Sequence, residues 1–187
     1  MSSTKLAVAP VIEPFDLDDA KSHLKVDHAD EDPLIDLYVR LARRYCEDVS
    51  RRAFCAQTWE MTLDAWPTKP VVDLPYPPLQ SVEAISYVDR DDITHTMPAA
   101  DYGVDTDSEP GRVYLKIGKS WPSGMLRPVA GVKIRFVAGY ADVASIPEVY
   151  QLAMRWMLSL LHENRGDNGL VVPGNLDAML MMDRGSW

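Results

Sequence analysis

Residues 74–89, LPYPPLQSVEAISYVD, decide how this chain is read. Prolines stand at 75, 77 and 78, and the apolar residues Val82, Ile85 and Tyr87 follow. Proline has no amide hydrogen for a sheet ladder, so these three belong to an edge or to an extended lead-in. Residues 82–89 then read as a strand, with Asp89-Arg90-Asp91-Asp92 as its turn. The stretch holds no nucleophile, metal cluster or phosphate loop, which points to a scaffold.

Working outward, the period of two continues on both sides. In residues 58–64, Trp59, Met61 and Leu63 alternate with Thr58, Glu60, Thr62 and Asp64, the pattern of a half-buried strand. Residues 93–97, 112–116 and 132–137 are further strands; in the last, Val132, Ile134 and Phe136 alternate with Lys133 and Arg135. Gly139-Tyr140 closes a β region spanning about 57–140.

Helical periodicity flanks this region. Residues 1–15 read as a loose arm. Asp16 caps a short helix over 17–26, with Leu17, Ala20 and Leu24 on one face. Asp27–Asp32 is an acidic connector. Asp32 followed by Pro33 predicts a cap and first turn for a second helix over 33–49. Its apolar stripe is Leu34, Leu37, Tyr38, Leu41, Tyr45 and Val49, and the two helices form a hairpin. Ser145 and Glu148 read as a capping box opening a third helix over 146–164, with Gly166 just beyond. That helix is apolar nearly all round, leaving only the narrow stripe Gln151, Arg155, Ser159 and His162. Such a helix needs cover on most sides, and a neighbouring subunit is a reasonable second wall. In the tail, 166–187, Asn175 caps a short last helix with Leu176, Met179, Leu180, Met181 and Met182. This Met-rich segment either packs on its own core or offers an adaptable partner surface.

Composition narrows the function. With 187 residues and 47% hydrophobic content, the chain supports one well-buried core. A net charge of −9 argues against bulk attraction to free nucleic acid or anionic membrane. The apolar run at Leu6–Ala9 is too short for an export signal, and Arg155 interrupts the longest apolar helix, so a soluble, cytosolically made protein is expected. Cys46 and Cys55 fit no zinc spacing and read as free, partly buried thiols.

Chemistry-bearing motifs fail one by one. Gly118-Lys119-Ser120 ends like a phosphate loop, but Val113 stands where the leading glycine belongs and Trp121-Pro122 follows where a helix should run. His162-Glu163 starts a zinc-protease signature that Gly166 breaks. The acidic connector lacks the glycine and distal glutamate of a calcium loop. An alternative of another class is a metal-dependent hydrolase using Asp27, Asp30 and Glu31. A third is a small-molecule or peptide binding module on the β region. Neither cofactor nor metal is expected. Arg40, Arg43, Arg44 and Arg51 cluster on the second helix near Glu47 and Asp48. They read as a solvated face with pairing one turn apart, as partners of the acidic Asp30 and Glu31 in the same or a neighbouring subunit, or as contacts to DNA phosphates.

The ordered pieces resemble a known family. FDLDDAKSHLKVDHADEDPLIDLYVRLARRYCEDVSRRAF, QTWEMTLDAWP, LPYPPLQSVEAISYVD, DYGVD, the Trp121-Pro122 pair, VKIRFVAGY and IPEVYQLAMRWMLSLLHENR follow one another as in the head–tail connector (portal adaptor, head-completion) proteins of tailed bacteriophages and gene transfer agents, over about residues 15–165. The resemblance implies an α+β fold: a small helical bundle (helical hairpin, long third helix, short C-terminal helix) with an inserted antiparallel β region. The connector domain would span 16–165. It implies a non-enzymatic virion protein of the neck, assembled in the host cytoplasm. Its subunits would form a ring, commonly of twelve, beneath the portal, carrying the stopper or tail proteins and passing double-stranded DNA without sequence recognition. A stopper or tail-completion ring is the nearest alternative. The resemblance further implies that the C-terminal tail docks into the portal, here through Leu176, Met179, Leu180, Met181, Met182 and Trp187. A dozen copies would carry about a hundred negative charges, which repel phosphate and let DNA slide.

Overall fold

The computed structural model describes residues 2–165 and 171–182. The fold is α+β, and the chain divides into two compact units. Residues 2–11 and 56–139 form a β unit; residues 12–55, 140–165 and 171–182 form a helical unit.

The β unit contains β1 (Ser2–Val8), β2 (Gln57–Leu63), β3 (Val71–Leu74), β4 (Leu79–Val88), β5 (Thr94–Thr96), β6 (Tyr102–Asp105), β7 (Gly111–Leu115) and β8 (Val132–Ala138). An antiparallel five-stranded sheet runs β1-β2-β8-β4-β5, and a three-stranded sheet runs β3-β7-β6. β8 is central because its alternation is strict: Val132, Ile134, Phe136 and Ala138 are all fully buried. Each large apolar side chain so buried contributes about 1.5–3 kcal/mol. The two sheets meet where Gly111 lies on Leu79: a Cβ at 111 would fall 2.3 Å from the Leu79 Cβ, so only glycine fits.

Three expectations change here. The arm is not loose: Ser2–Val8 pairs antiparallel with β2, Leu6 opposite Trp59. β3 and β6 were missed, because four residues are too few for a period of two to register and β6 contains Gly103. The opening stretch holds an interior strand, β4, between β8 and β5. β4 also starts at Leu79, three residues early, since irregularities at Leu79/Ser81 and Val82/Ala84 break its alternation. Pro75, Pro77 and Pro78 lie in the link from β3 to β4, as a lead-in. In that link Tyr76 takes a left-handed φ of 63° and stacks on Trp59 at 4.0 Å. A stack of this kind, worth about 0.5–1.5 kcal/mol, offsets much of the left-handed cost. The turn after β4 is pinned by Asp89, whose Oδ1 accepts from the Asp91 and Ile93 amides.

The helical unit contains α1 (Leu17–Leu24), α2 (Asp32–Ser50), α3 (Glu148–Glu163) and α4 (Gly174–Met181). Asp16 caps α1 by accepting from the Asp19 amide at 2.8 Å. The left-handed Lys25 ends α1 two residues before the expected stop. Pro33 sits in the first turn of α2, but Glu31, not Asp32, occupies the capping position. The expected capping box is absent: Ser145 belongs to a 3₁₀ turn, Val143–Ser145, and its amide and hydroxyl both donate to Asp142. Pro147 precedes α3 instead. Pro173, not Asn175, precedes α4. The core joins all four helices, with Ala20, Ile35, Val39, Ala42, Cys46, Tyr150, Met154, Leu158, Leu176 and Leu180 fully or nearly fully buried.

The core face of α2 is Ile35, Val39, Ala42 and Cys46, rotated from the expected stripe; Leu37 and Leu41 face outward. α2 carries two apolar stripes side by side. The one beside Arg43 and Glu47 faces inward because those two charges find partners there. Cys46 and Cys55 are buried free thiols, and burial pushes both up to about 12.

Candidate functional site

The arginines of α2 separate into different roles. Arg43 is buried: its Nε donates to Glu13 at 2.7 Å and its Nη1 to Glu47 at 2.6 Å. Glu47 is also buried and accepts the Phe54 amide at 2.7 Å. Burial pushes the Glu47 carboxyl up against the pull of Arg43 and of the Phe54 and Cys55 amides. The carboxylates of Glu13 and Glu47 outweigh burial at Arg43 and hold its guanidinium more firmly charged. Arg43 therefore faces neither a neighbour nor DNA; it fastens the segment before α1, and the turn after α2, to α2. A buried pair of this kind is satisfied only inside the fold.

Arg40 and Arg44 remain outside. Each pairs one turn away on its own helix, Arg40 with Asp36 and Arg44 with Asp48, the latter at 3.0 Å. Arg51 is exposed in the left-handed conformation that ends α2. Leu37, Leu41, Arg44 and Asp48 follow a spacing of four, seven and eleven, so they share one outward face. Sequence reading missed this face because it assigned both leucines to the core. The second apolar run, Ile35, Val39, Ala42 and Cys46, was the signal available.

The acidic connector is divided as well. Asp30 is exposed, 3.9 Å from His28. Glu31 is held by its own chain: Arg165 Nη1 donates to it, and His162 lies at 3.2 Å. Arg165, then His162, keeps the Glu31 carboxyl below the usual range. Among the described residues, no three or more His, Cys, Asp or Glu come together to hold a metal ion, and Asp27, Asp30 and Glu31 do not converge.

α3 buries Tyr150, Ala153, Met154, Met157 and Leu158. Its outward face carries Glu148, Leu152 (59% exposed) and Glu163, with Trp156 half-buried beside them. The narrow polar stripe is occupied: His23 reaches Ser159 at 2.9 Å, and Arg155 lies over the Phe15 ring at 4.4 Å.

α4 splits the expected docking residues. Leu176 and Leu180 are fully buried and belong to the core, which corrects their assignment to a partner surface; Met179 packs partly against that core. Met181 and Met182 are exposed, Met182 at 84%. Trp187 lies outside the described residues. Tyr45 donates to Asp177 at 2.6 Å and ties α4 to α2.

On the β unit, an open cavity of about 330 Å³ is lined by Pro70, Val71, Asp105, Arg112, Tyr114 and Leu115. Arg112 is already engaged by Asp105 and Ser108, each at 2.6 Å. Ser108 and Arg112 hold the Asp105 carboxyl well below the usual range. Trp121 stacks on Trp66 at 5.0 Å and donates to the Lys69 carbonyl, which explains the Trp-Pro pair as a loop anchor. No helix among the described residues is long and apolar enough to cross a membrane.

The described residues thus combine a four-helix core with antiparallel sheets, an α+β fold. Residues 15–93 match the model of the phage gp6-like head–tail connector protein family. No curated protein matches it. Among solved structures it resembles a chain of the neck of an empty gene transfer agent particle computed with C6 symmetry, with TM-score 0.78, 21% identity, and 95% of this chain and 93% of that one covered. A chain of the native gene transfer agent virion matches with TM-score 0.73 and 20% identity over 94% and 93%. A chain of the native particle's neck computed with C12 symmetry matches with TM-score 0.69 and 20% identity over 94% and 93%. At such identity the structural matches speak to fold.

Proposed function

We propose that this protein is a non-catalytic connector subunit that forms a ring beneath the portal, carries the stopper or tail proteins, and passes double-stranded DNA through its bore. The observation that carries this reading is the family match over residues 15–93, inside a fold shared along 95% of the chain with a neck protein. The net charge of −9 supports a bore that repels phosphate. Imaging particle necks with and without this protein tests the reading. Its loss should leave heads that leak DNA and carry no tail; tailed, DNA-filled particles without it would end the proposal.

Portal docking is the proposed role of the chain's end, supported by the exposed Met181 and Met182. Trp187 is included in this proposal from the sequence alone. Leu176 and Leu180 are excluded because they complete the core. Truncation after Leu180 should therefore keep the helical core and lose co-sedimentation with the portal. Undiminished co-sedimentation would move the docking site elsewhere.

A further inference from the structure

We propose that the ring closes through two outward helix faces of the helical unit: the α2 face Leu37, Arg40, Leu41 and Arg44 of one copy against the α3 face Glu148, Leu152, Trp156 and Glu163 of the next. This rests on the ring reading above and deepens it.

A closed ring needs a heterologous interface, two different surfaces on the same subunit. α2 and α3 bury their inner faces in one core, so their outer faces are separate surfaces that point away from it. Each has an apolar centre without cover among the described residues: Leu37 at 42% and Leu41 at 44% on α2, Leu152 at 59% on α3. Residues 148, 152, 156 and 163 lie within about 80° of arc at 100° per residue, so they form one stripe.

The charges identify the occupant as a second copy. The α2 face carries Arg40 and Arg44, whose exposed pairs with Asp36 and Asp48 are weak and exchangeable. The α3 face carries Glu148 and Glu163, both exposed and with no ion pair among the described residues. Leucines flanked by arginines meet leucine and tryptophan flanked by glutamates. DNA does not fit the α2 face, because phosphate has no use for the two exposed leucines at its centre. The same contact gives the nearly all-apolar α3 the second wall its sequence calls for.

Reciprocal charge reversal tests this. Variant one is Arg40→Glu with Arg44→Glu; variant two is Glu148→Arg with Glu163→Arg. Wild-type protein should self-associate beyond a dimer in sedimentation velocity. Each variant alone presents like charges on both faces, and its self-association should weaken about tenfold or more. Mixed in equal amounts, every α2 face again meets an opposite α3 face, so oligomers should return in an alternating ring. Leu41→Ser with Leu152→Ser should also give a monomer, with its melting temperature nearly unchanged. Failure of the mixture to recover, while wild type still forms rings, overturns this interface and leaves the connector reading standing. A wild-type species that stops at a dimer overturns the two-face arrangement. Wild type that stays monomeric at about 100 μM, together with particle necks lacking a ring of this protein, overturns both.

Discussion

Truncating Leu180 to alanine separates the two roles of the C-terminal segment. Leu180 is fully buried beside Leu176 in the helical core, although both stand in a Met-rich tail that looks like a docking peptide. Leu180→Ala removes the branched end of the side chain and leaves a cavity, at a cost of about 2–5 kcal/mol. For a chain of this size each kcal/mol lowers the melting temperature by about 2–4 °C. A cost near ~3 kcal/mol therefore predicts a drop of about 6–12 °C. Met182→Ala is the control: at 84% exposure it should stay within about 0.5 kcal/mol of wild type. The assay is thermal unfolding followed by far-ultraviolet circular dichroism, with portal co-sedimentation measured below both transitions. The expected pattern is a large loss of stability with retained binding for Leu180→Ala, and the reverse for Met182→Ala combined with Met181→Ala. A melting temperature for Leu180→Ala within about 2 °C of wild type would refute the claim that α4 completes the core.

Three further outcomes are expected. Arg43→Met leaves Glu47 buried without its cation and should cost about 3–5 kcal/mol in urea unfolding, whereas Arg44→Met, at an exposed pair, should cost less than about 1 kcal/mol. Cys46 and Cys55, with thiols pushed up to about 12, should resist a thiol reagent at neutral pH until the protein is unfolded; labelling of native protein as fast as of unfolded protein would contradict their burial. Acid stability follows from depressed carboxyls. Arg165 and His162 lower Glu31, and His95 with the Ile93 and Asp91 amides lowers Asp89. Such groups bind fewer protons when folded, so their stabilisation is present above the ordinary carboxylate range near pH ~4 and is lost as pH falls through the folded values. The urea midpoint should accordingly hold from neutral pH to about pH 5 and fall below pH ~4. Asp89→Asn should shallow that fall, and an unchanged slope would remove Asp89 from the account.

What was legible depended on length and regularity. β8, with its unbroken alternation, and α3, with its long apolar run, were readable because each repeats one pattern over several turns or pairs. The four-residue strands β3 and β6 were not, and irregularities hid the true start of β4. The order of these pieces carried the resemblance to head–tail connectors, and residues 15–93 match the model of the phage gp6-like family. The contact surfaces were less legible. Four arginines on one helix look alike in sequence, yet Glu13, far along the chain and before α1, takes Arg43 into the interior and leaves Arg40 and Arg44 outside.

By itself, then, the sequence determined the helix–β–helix order, the acidic balance and the Asp16 cap, because local periodicity and composition carry that information. Tertiary structure alone decided which stripe of α2 faces inward, that residues 2–8 form a strand, and that Leu176 and Leu180 are core. Each of those outcomes turns on partners distant in the chain. A leucine is buried or exposed according to what the rest of the fold brings against it, and its own neighbours in sequence do not say.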